Sequence, residues 1–245
     1  MNTTVKRFKN RQQAGELLAK RLIACKHRSD VVVLALPRGG VPVGFAVATT
    51  LEVPLDIMPV RKLGVPGREE FAMGAIASGG LCVVKAEVVE MFDIPTDVIE
   101  AIAKRELHEI ERREKLYRAG QPALPLHGKT VILVDDGVAT GATMLAAVKA
   151  TRRESPARVI VAAPVAVAAS CEELRQEADE VVCLRTPEPF YAVGLWYEDF
   201  AQMTDAEVTQ LLTQARQSEF AVHDGADRTG QAGKGKAGHH GPRHA

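Results

Sequence analysis

The chain has 245 residues, 46% of them apolar and 25% charged, and its 31 basic and 31 acidic side chains give a formal net charge of zero. That balance suits a folded core of one α/β domain with additions or of two small domains, and it excludes any general electrostatic pull toward nucleic acid or an anionic membrane. The N-terminus lacks a secretory h-region, the longest apolar runs (31–36 and 159–169) are too short to span a bilayer, and Cys25, Cys82, Cys171 and Cys183 form no C-x-x-C pair, so reduced thiols in a cytoplasmic protein are expected.

Residues 11–24 predict an amphipathic helix with Ala14, Leu17, Leu18 and Leu22 on one face. VVVLAL at 31–36 is apolar on both faces, as a buried parallel strand is. Residues 37–40 break it, 41–51 read as helical, and LDIMPV at 55–60 reads as a second strand, completing a strand–helix–strand unit. Residues 64–86 carry AMGAIA between glycine-containing segments, with Gly79-Gly80 placed as a hairpin turn. Residues 96–118 predict a solvated charged helix. Its acid-before-base pairs are Glu100–Lys104, Glu109–Arg113 and Glu111–Lys115, and its apolar stripe is Ile99, Ile102, Ala103 and Ile110.

Pro122 and Pro125 close that insertion. Strands at 130–135, 158–165 and 180–184 then alternate with helices at 143–153 and 168–178, the pattern of a doubly wound parallel sheet. Thr204 and Glu207 form a capping box that opens a last helix. From about residue 222 the composition loses apolar periodicity, so a disordered tail over 222–245 is expected.

The chemistry concentrates in VILVDDGVATGAT, residues 131–143. Four apolar residues make the strand, Asp135 and Asp136 stand at its carboxyl end, and Gly137, Val138, Ala139, Thr140, Gly141, Ala142 and Thr143 run into a helix. A loop at that position offers backbone amides and a helix dipole to a phosphate, and threonine hydroxyls add donors. Two carboxylates would repel that anion, so they need another partner: a sugar diol or a divalent cation. A Walker pair fits less well. Gly128-Lys129-Thr130 ends like a phosphate loop, but residue 123 is alanine and a strand, not a helix, follows. A purely structural strand–turn–helix leaves the double aspartate unexplained.

Residues 131–143 resemble the signature of the type I phosphoribosyltransferases: four apolar residues, two acids, a short spacer, then T-G-x-T. The resemblance implies that Asp135 and Asp136 hold the ribose hydroxyls of 5-phosphoribosyl-1-pyrophosphate (PRPP) and that residues 139–143 hold its 5′-phosphate. Gly137 departs from the usual apolar residue and Ala142 from the common glycine, and neither change removes a polar group. LPRGGVP at 36–42 resembles the family's pyrophosphate loop, closest to the S-R-G-G form of xanthine phosphoribosyltransferases, which implies pyrophosphate contacts from Arg38, Gly39 and Gly40. Arg61 and Lys62 resemble the R-K of adenine phosphoribosyltransferases, with residues 63–71 as a mobile closing loop. Residues 189–200 loosely resemble the purine-stacking segment of hypoxanthine-guanine enzymes, making Tyr191, Trp196 and Glu198 acceptor-site candidates. Packing of a hood or of a homodimer contact suits these aromatics equally.

The resemblance covers roughly residues 10–215, and the full pattern looks like a bacterial family of phosphoribosyltransferase-like proteins with no assigned acceptor. It implies an α/β fold: a doubly wound, mostly parallel Rossmann-like sheet with a small hood and a helical insertion. The domain would span residues 1–221, with the insertion at about 64–126. It also implies displacement of pyrophosphate from PRPP by a nitrogenous base or related acceptor. Mg²⁺ would ride mainly on substrate oxygens near Asp135 and Asp136. A PRPP-sensing regulator without turnover is the alternative, but no helix-turn-helix or basic domain precedes residue 31.

Overall fold

The computed structural model describes residues 7–230. Helix α1 (Arg11–Arg21) starts at Asn10, whose side chain accepts a hydrogen bond from the Gln13 amide at 2.9 Å. It ends three residues short of the expected point, passing into a tighter turn at Ile23–Cys25. Strands β1 (Val31–Ala35) and β6 (Thr130–Val134) are buried at every position, as continuous apolar runs in a sheet covered on both faces must be.

A five-stranded parallel sheet runs in the order β2-β1-β6-β7-β8, with β2 at Leu55–Ile57, β7 at Arg158–Val165 and β8 at Glu180–Arg185. Alternation along β1 sends Val31, Val33 and Ala35 to one face and Val32 and Leu34 to the other. The first set packs with α1, α2 (Gly40–Leu51) and α7 (Asp205–Gly230), through residues such as Leu18, Val47 and Leu212. The second packs with α5 (Ala142–Arg153) and α6 (Ala168–Arg175), through Met144, Val148 and Leu174. Each large apolar side chain so buried contributes about 1.5–3 kcal/mol, and this two-sided burial fixes the sheet as the rigid base of the molecule.

LDIMPV is not one strand. β2 stops at Ile57, and β3 (Val60–Val65) belongs to a separate antiparallel sheet in the order β3-β4-β5, with β4 at Arg68–Ala77 and β5 at Cys82–Val84. Pro59 has no N–H to extend the first ladder, and its carbonyl instead accepts from the Ser78 amide at 3.0 Å. Residues 63–71, expected as a loop, form the turn end of the β3–β4 hairpin, whose strands pair from Val60↔Ala77 to Val65↔Arg68. Gly79 and Gly80 do turn β4 into β5, both with positive φ.

After α3 (Ala86–Met91), helix α4 (Thr96–Arg118) lays its predicted stripe on this small sheet, where Ile99, Ile102, Ala103 and Ile110 pack with Leu63, Met73 and Ile76. Its Glu109 pairs with Arg112 and Arg113, each at 2.7 Å. The hydrogen bond from Arg112 leads in drawing that carboxyl down to about 2.

The capping box is formed: the Thr204 amide donates to Glu207 Oε2 at 2.8 Å and the Glu207 amide to Thr204 Oγ1 at 3.2 Å. Helix α7 continues to Gly230, past residue 222 where irregular chain is expected. Elongating a nucleated helix costs little per residue even without an apolar stripe. The rest of the expected tail, 231–245, lies outside the described residues. Among those described, no helix is long and apolar enough to cross a membrane.

Candidate active site

The chain runs outward from the middle of the sheet in two directions. From β1 it passes through α2 to β2 on one side. From β6 it passes through α5 and α6 to β7 and β8 on the other. β1 and β6 are parallel neighbours in register from Val31↔Thr130 to Ala35↔Val134. The loops leaving their carboxyl ends flank the topological switch point, the place where an open α/β sheet has its binding crevice.

The loop after β1 is pinned to β6 by the Leu36 amide, which donates to Val134 O at 2.9 Å, and its Pro37–Arg38 peptide is cis. Gly39 and Gly40 then press against the other loop. A Cβ at Gly39 would land on the Asp136 carboxylate, and one at Gly40 would come within 2.6 Å of Val134 O. Only glycine permits that approach. Arg38 is half-exposed, with Nη1 3.9 Å from Asp205 Oδ1. Asp205 is itself fixed by the Tyr117 hydroxyl at 2.6 Å.

Asp135 and Asp136 occupy different electrostatic settings. Asp135 Oδ1 accepts from the Asp136 amide at 2.8 Å. Desolvation first, and the adjacent Asp136 second, push its carboxyl well above the usual range, with Arg11 and Lys62 pulling the other way. Asp136 is also raised by desolvation, but it has a direct cation: Arg11 Nε donates to Oδ2 at 2.8 Å. The Arg11 guanidinium also donates to Ala201 O at 2.8 Å and lies 3.8 Å from the Phe200 ring centroid. The Tyr197 hydroxyl donates to Asp136 O at 2.6 Å, and burial leads in holding the proton on that phenol.

Beyond the acids, Gly137 admits the Val193 side chain into the space its own Cβ would fill. Valine from a distant segment thus supplies the apolar group usual at position 137. Val138 is buried and bridged to Ala166, its amide donating to Val165 O at 2.9 Å. Ala139 and Thr140 are exposed, and the Ser170 hydroxyl on α6 holds the Ala139 carbonyl at 2.6 Å. Gly141, at φ 71°, opens α5 with no side-chain cap, so the first-turn amides at Ala142 and Thr143 have no capping side chain. The structure thus brings Arg38, Gly39, Gly40, Asp135 and Asp136 together at one crevice.

Alternation on β3 splits the basic pair. Arg61 is tied to Glu106 on α4 at 2.8 Å, a carboxylate only 8% exposed, whereas Lys62 is exposed and its charge acts on Asp135. Tyr191 is 79% exposed. Trp196 packs with Phe8, Phe190 and Val193, and Glu198 is exposed with its amide donating to Phe8 O at 2.8 Å. Sequence reasoning misses Arg11 and Tyr197, which reach Asp136 from 125 and 61 residues away. The visible signal was a basic residue at a helix start, where the dipole disfavours it.

These features define an open, doubly wound α/β protein. Its switch-point crevice can accept hydrogen bonds at a central carboxylate pair and donate them to an anion at a helix N-terminus. Residues 3–195 match the phosphoribosyl transferase domain family, and the chain belongs to it. Two Mycobacterium tuberculosis proteins, from strains CDC 1551 and H37Rv, bear the name "Putative phosphoribosyl transferase". Each is 42% identical over 217 residues, a stretch covering 89% of this chain and 48% of the relative. The chain thus spans about half the length of these curated relatives. The crystal structure of TT1426 from Thermus thermophilus is 42% identical and superposes with a TM-score of 0.72, covering 85% of this chain and 98% of that one.

Proposed function

We propose that the crevice binds PRPP and that the protein transfers its phosphoribosyl group to a nitrogenous base or related acceptor, releasing pyrophosphate. The observation that carries this reading is the closure of the Arg38-Gly39-Gly40 loop onto Asp135 and Asp136, directly before the loop that opens α5. A molecule with a hydroxyl pair between two phosphate groups matches that sequence of acceptor and donor groups.

In this reading Asp135 and Asp136 accept hydrogen bonds from the ribose diol. The amides and hydroxyls of residues 139–143 receive the 5′-phosphate at the start of α5. Arg38 and Lys62 neutralise the pyrophosphate as negative charge builds on it, so rate comes from positioning and preformed electrostatics. Arg61 enters only by exchanging Glu106 for the substrate.

Mg²⁺ fits as a companion of the substrate. Among the described residues Asp135 has no cation in direct contact, and no group of three His, Cys, Asp or Glu side chains could hold a metal unaided. Bound there, the ion would offset charge on the phosphate oxygens. Tyr191, Trp196 and Glu198 are proposed for the acceptor side, and the reading carries with it a cytoplasmic location and no nucleic-acid partner.

The test is a screen of bases with labelled PRPP and Mg²⁺ that follows pyrophosphate release, beside calorimetric titration of PRPP into wild type and the Asp135→Asn/Asp136→Asn double variant. Release with at least one base, together with binding lost in the double variant, supports the proposal. Undiminished binding in that variant removes the diol assignment, and tight binding without release for any base makes the protein a PRPP sensor.

A further inference from the structure

Cys171 on α6 and Cys183 on β8 bring their sulfurs to 3.2 Å. Both are free thiols: Cys171 is buried, and Cys183, on the edge strand β8, is only partly buried. A disulfide bond is about 2.05 Å long, so side-chain movement of roughly 1 Å separates contact from bonding. The two thiols are unequal. The hydrogen bond with Cys183 leads in bringing the Cys171 thiol down to about 7, assisted by Arg175. The same pairing holds the proton on Cys183. One sulfur of the pair can thus lose its proton while the other keeps its own. By contrast, burial raises the thiol of Cys25.

The pair also stands next to the site. Ser170, the residue before Cys171, holds the Ala139 carbonyl at 2.6 Å, and its Cβ lies 3.4 Å from where a Cβ on Gly141 would be. α6 is therefore the seat of the loop after β6.

We propose that Cys171 and Cys183 form a reversible dithiol–disulfide pair, closed by a peroxide, that ties the seat of this loop to the sheet edge. The Cys171 thiolate attacks one peroxide oxygen and the O–O bond breaks. Hydroxide leaves and takes up a proton to become water, and Cys171 becomes a sulfenic acid. The Cys183 sulfur then attacks Cys171 Sγ. The S–S bond forms, the S–O bond breaks, and the second oxygen leaves as water with the Cys183 proton. Two thiols and one peroxide thus give one disulfide and two waters, the sulfurs losing the two electrons that the peroxide gains. A small thiol reverses the reaction by exchange. The proposal stands apart from whatever the crevice binds.

The experiment uses the full chain with Cys82→Ser, which removes the exposed thiol and leaves three of the four cysteines. After hydrogen peroxide treatment, thiols are counted by alkylation under denaturing conditions and mapped by peptide mass. Two thiols should disappear into one cross-linked 171–183 peptide, and dithiothreitol should restore both. Adding Cys183→Ala should strand Cys171 as a sulfenic acid that dimedone traps. If that variant does not fold, the cross-link in its parent decides. Both cysteines staying alkylatable, or Cys171 reaching the sulfinic acid with no cross-link, would overturn the pair. Amide hydrogen exchange across residues 139–141 and α6 should slow in the oxidised form, and unchanged exchange there would overturn the tie to the loop.

Discussion

The Arg11 guanidinium is held between the Asp136 carboxylate, 2.8 Å from Nε, and the face of Phe200, 3.8 Å from its carbon to the ring centroid. The two ionic side chains are only 11% and 14% exposed, so removing one leaves the other without its charge partner in a poorly solvated place. Arg11→Ala should cost about 1.5–3 kcal/mol, the range of a charge-assisted hydrogen bond, read from the midpoint of urea unfolding. Arg11→Lys should recover only part, because an ammonium has no planar face for Phe200 and cannot keep both the Asp136 and Ala201 contacts in one fork. Full recovery by lysine would reduce the pair to simple charge attraction.

Asp135 should weigh against stability. Its native carboxyl titrates well above the ordinary value because of desolvation and the charge on Asp136, so the folded state holds this proton more tightly than the unfolded chain does. Its contribution to stability therefore falls as pH rises from about 3.9 through the native value. Asp135→Asn keeps an oxygen for the Asp136 amide and discards the charge. It should raise stability at pH 7 by about 0.5–2 kcal/mol, and the gain should vanish near pH 3, where both states are protonated. Thermal melts of both proteins across that range test this, and a gain independent of pH would assign it to something other than the carboxylate.

Gly137 and Val193 should behave as one unit. Gly137→Ala drives a methyl into the Val193 side chain, and overpacking of this kind costs about 1–3 kcal/mol. Val193→Ala opens the needed space, so the double variant should be more stable than the sum of the single losses implies. A coupling of about 0.5–3 kcal/mol is expected from a double-mutant cycle. Strict additivity would mean that the loop moves aside instead.

Arg38 separates the two ends of the proposed substrate. Half-exposed and loosely paired with Asp205 at 3.9 Å, it is available to a pyrophosphate and remote in role from the 5′-phosphate. Arg38→Ala should weaken PRPP roughly ten- to a hundredfold while barely changing the affinity for ribose 5-phosphate, as measured by calorimetry. Equal losses for both ligands would move Arg38 out of the pyrophosphate role.

The parallel sheet was legible because β1, β6 and β7 are nearly continuous apolar runs buried on both faces, and α4 because its stripe and its charges follow the helical period. The hairpin of β3 and β4 was not. VRKLGV and REEFAMGAIA mix charge with small residues, and their pairing is settled by contact with α4 and α5. Within the site, the double aspartate and the two loops announce themselves locally, since each needs only neighbours in sequence. Arg11 and Tyr197 do not, because their roles arise when remote segments meet. The separation of Arg61 from Lys62 needed the knowledge that position 61 lies on a strand.

Phe8 and Tyr197 form a bridge that joins the beginning of the described chain to a segment almost 200 residues later, and Arg11 and Tyr197 both end on Asp136. During synthesis the sheet can assemble as soon as β8 has emerged, but the second aspartate keeps only one of its two clasps until Tyr197 follows. A nascent chain halted before that residue would carry the loop after β6 on a formed scaffold with Asp136 incompletely set. The setting of Asp136 is thus a late step of folding, completed only when a segment 61 residues further along the chain has been made.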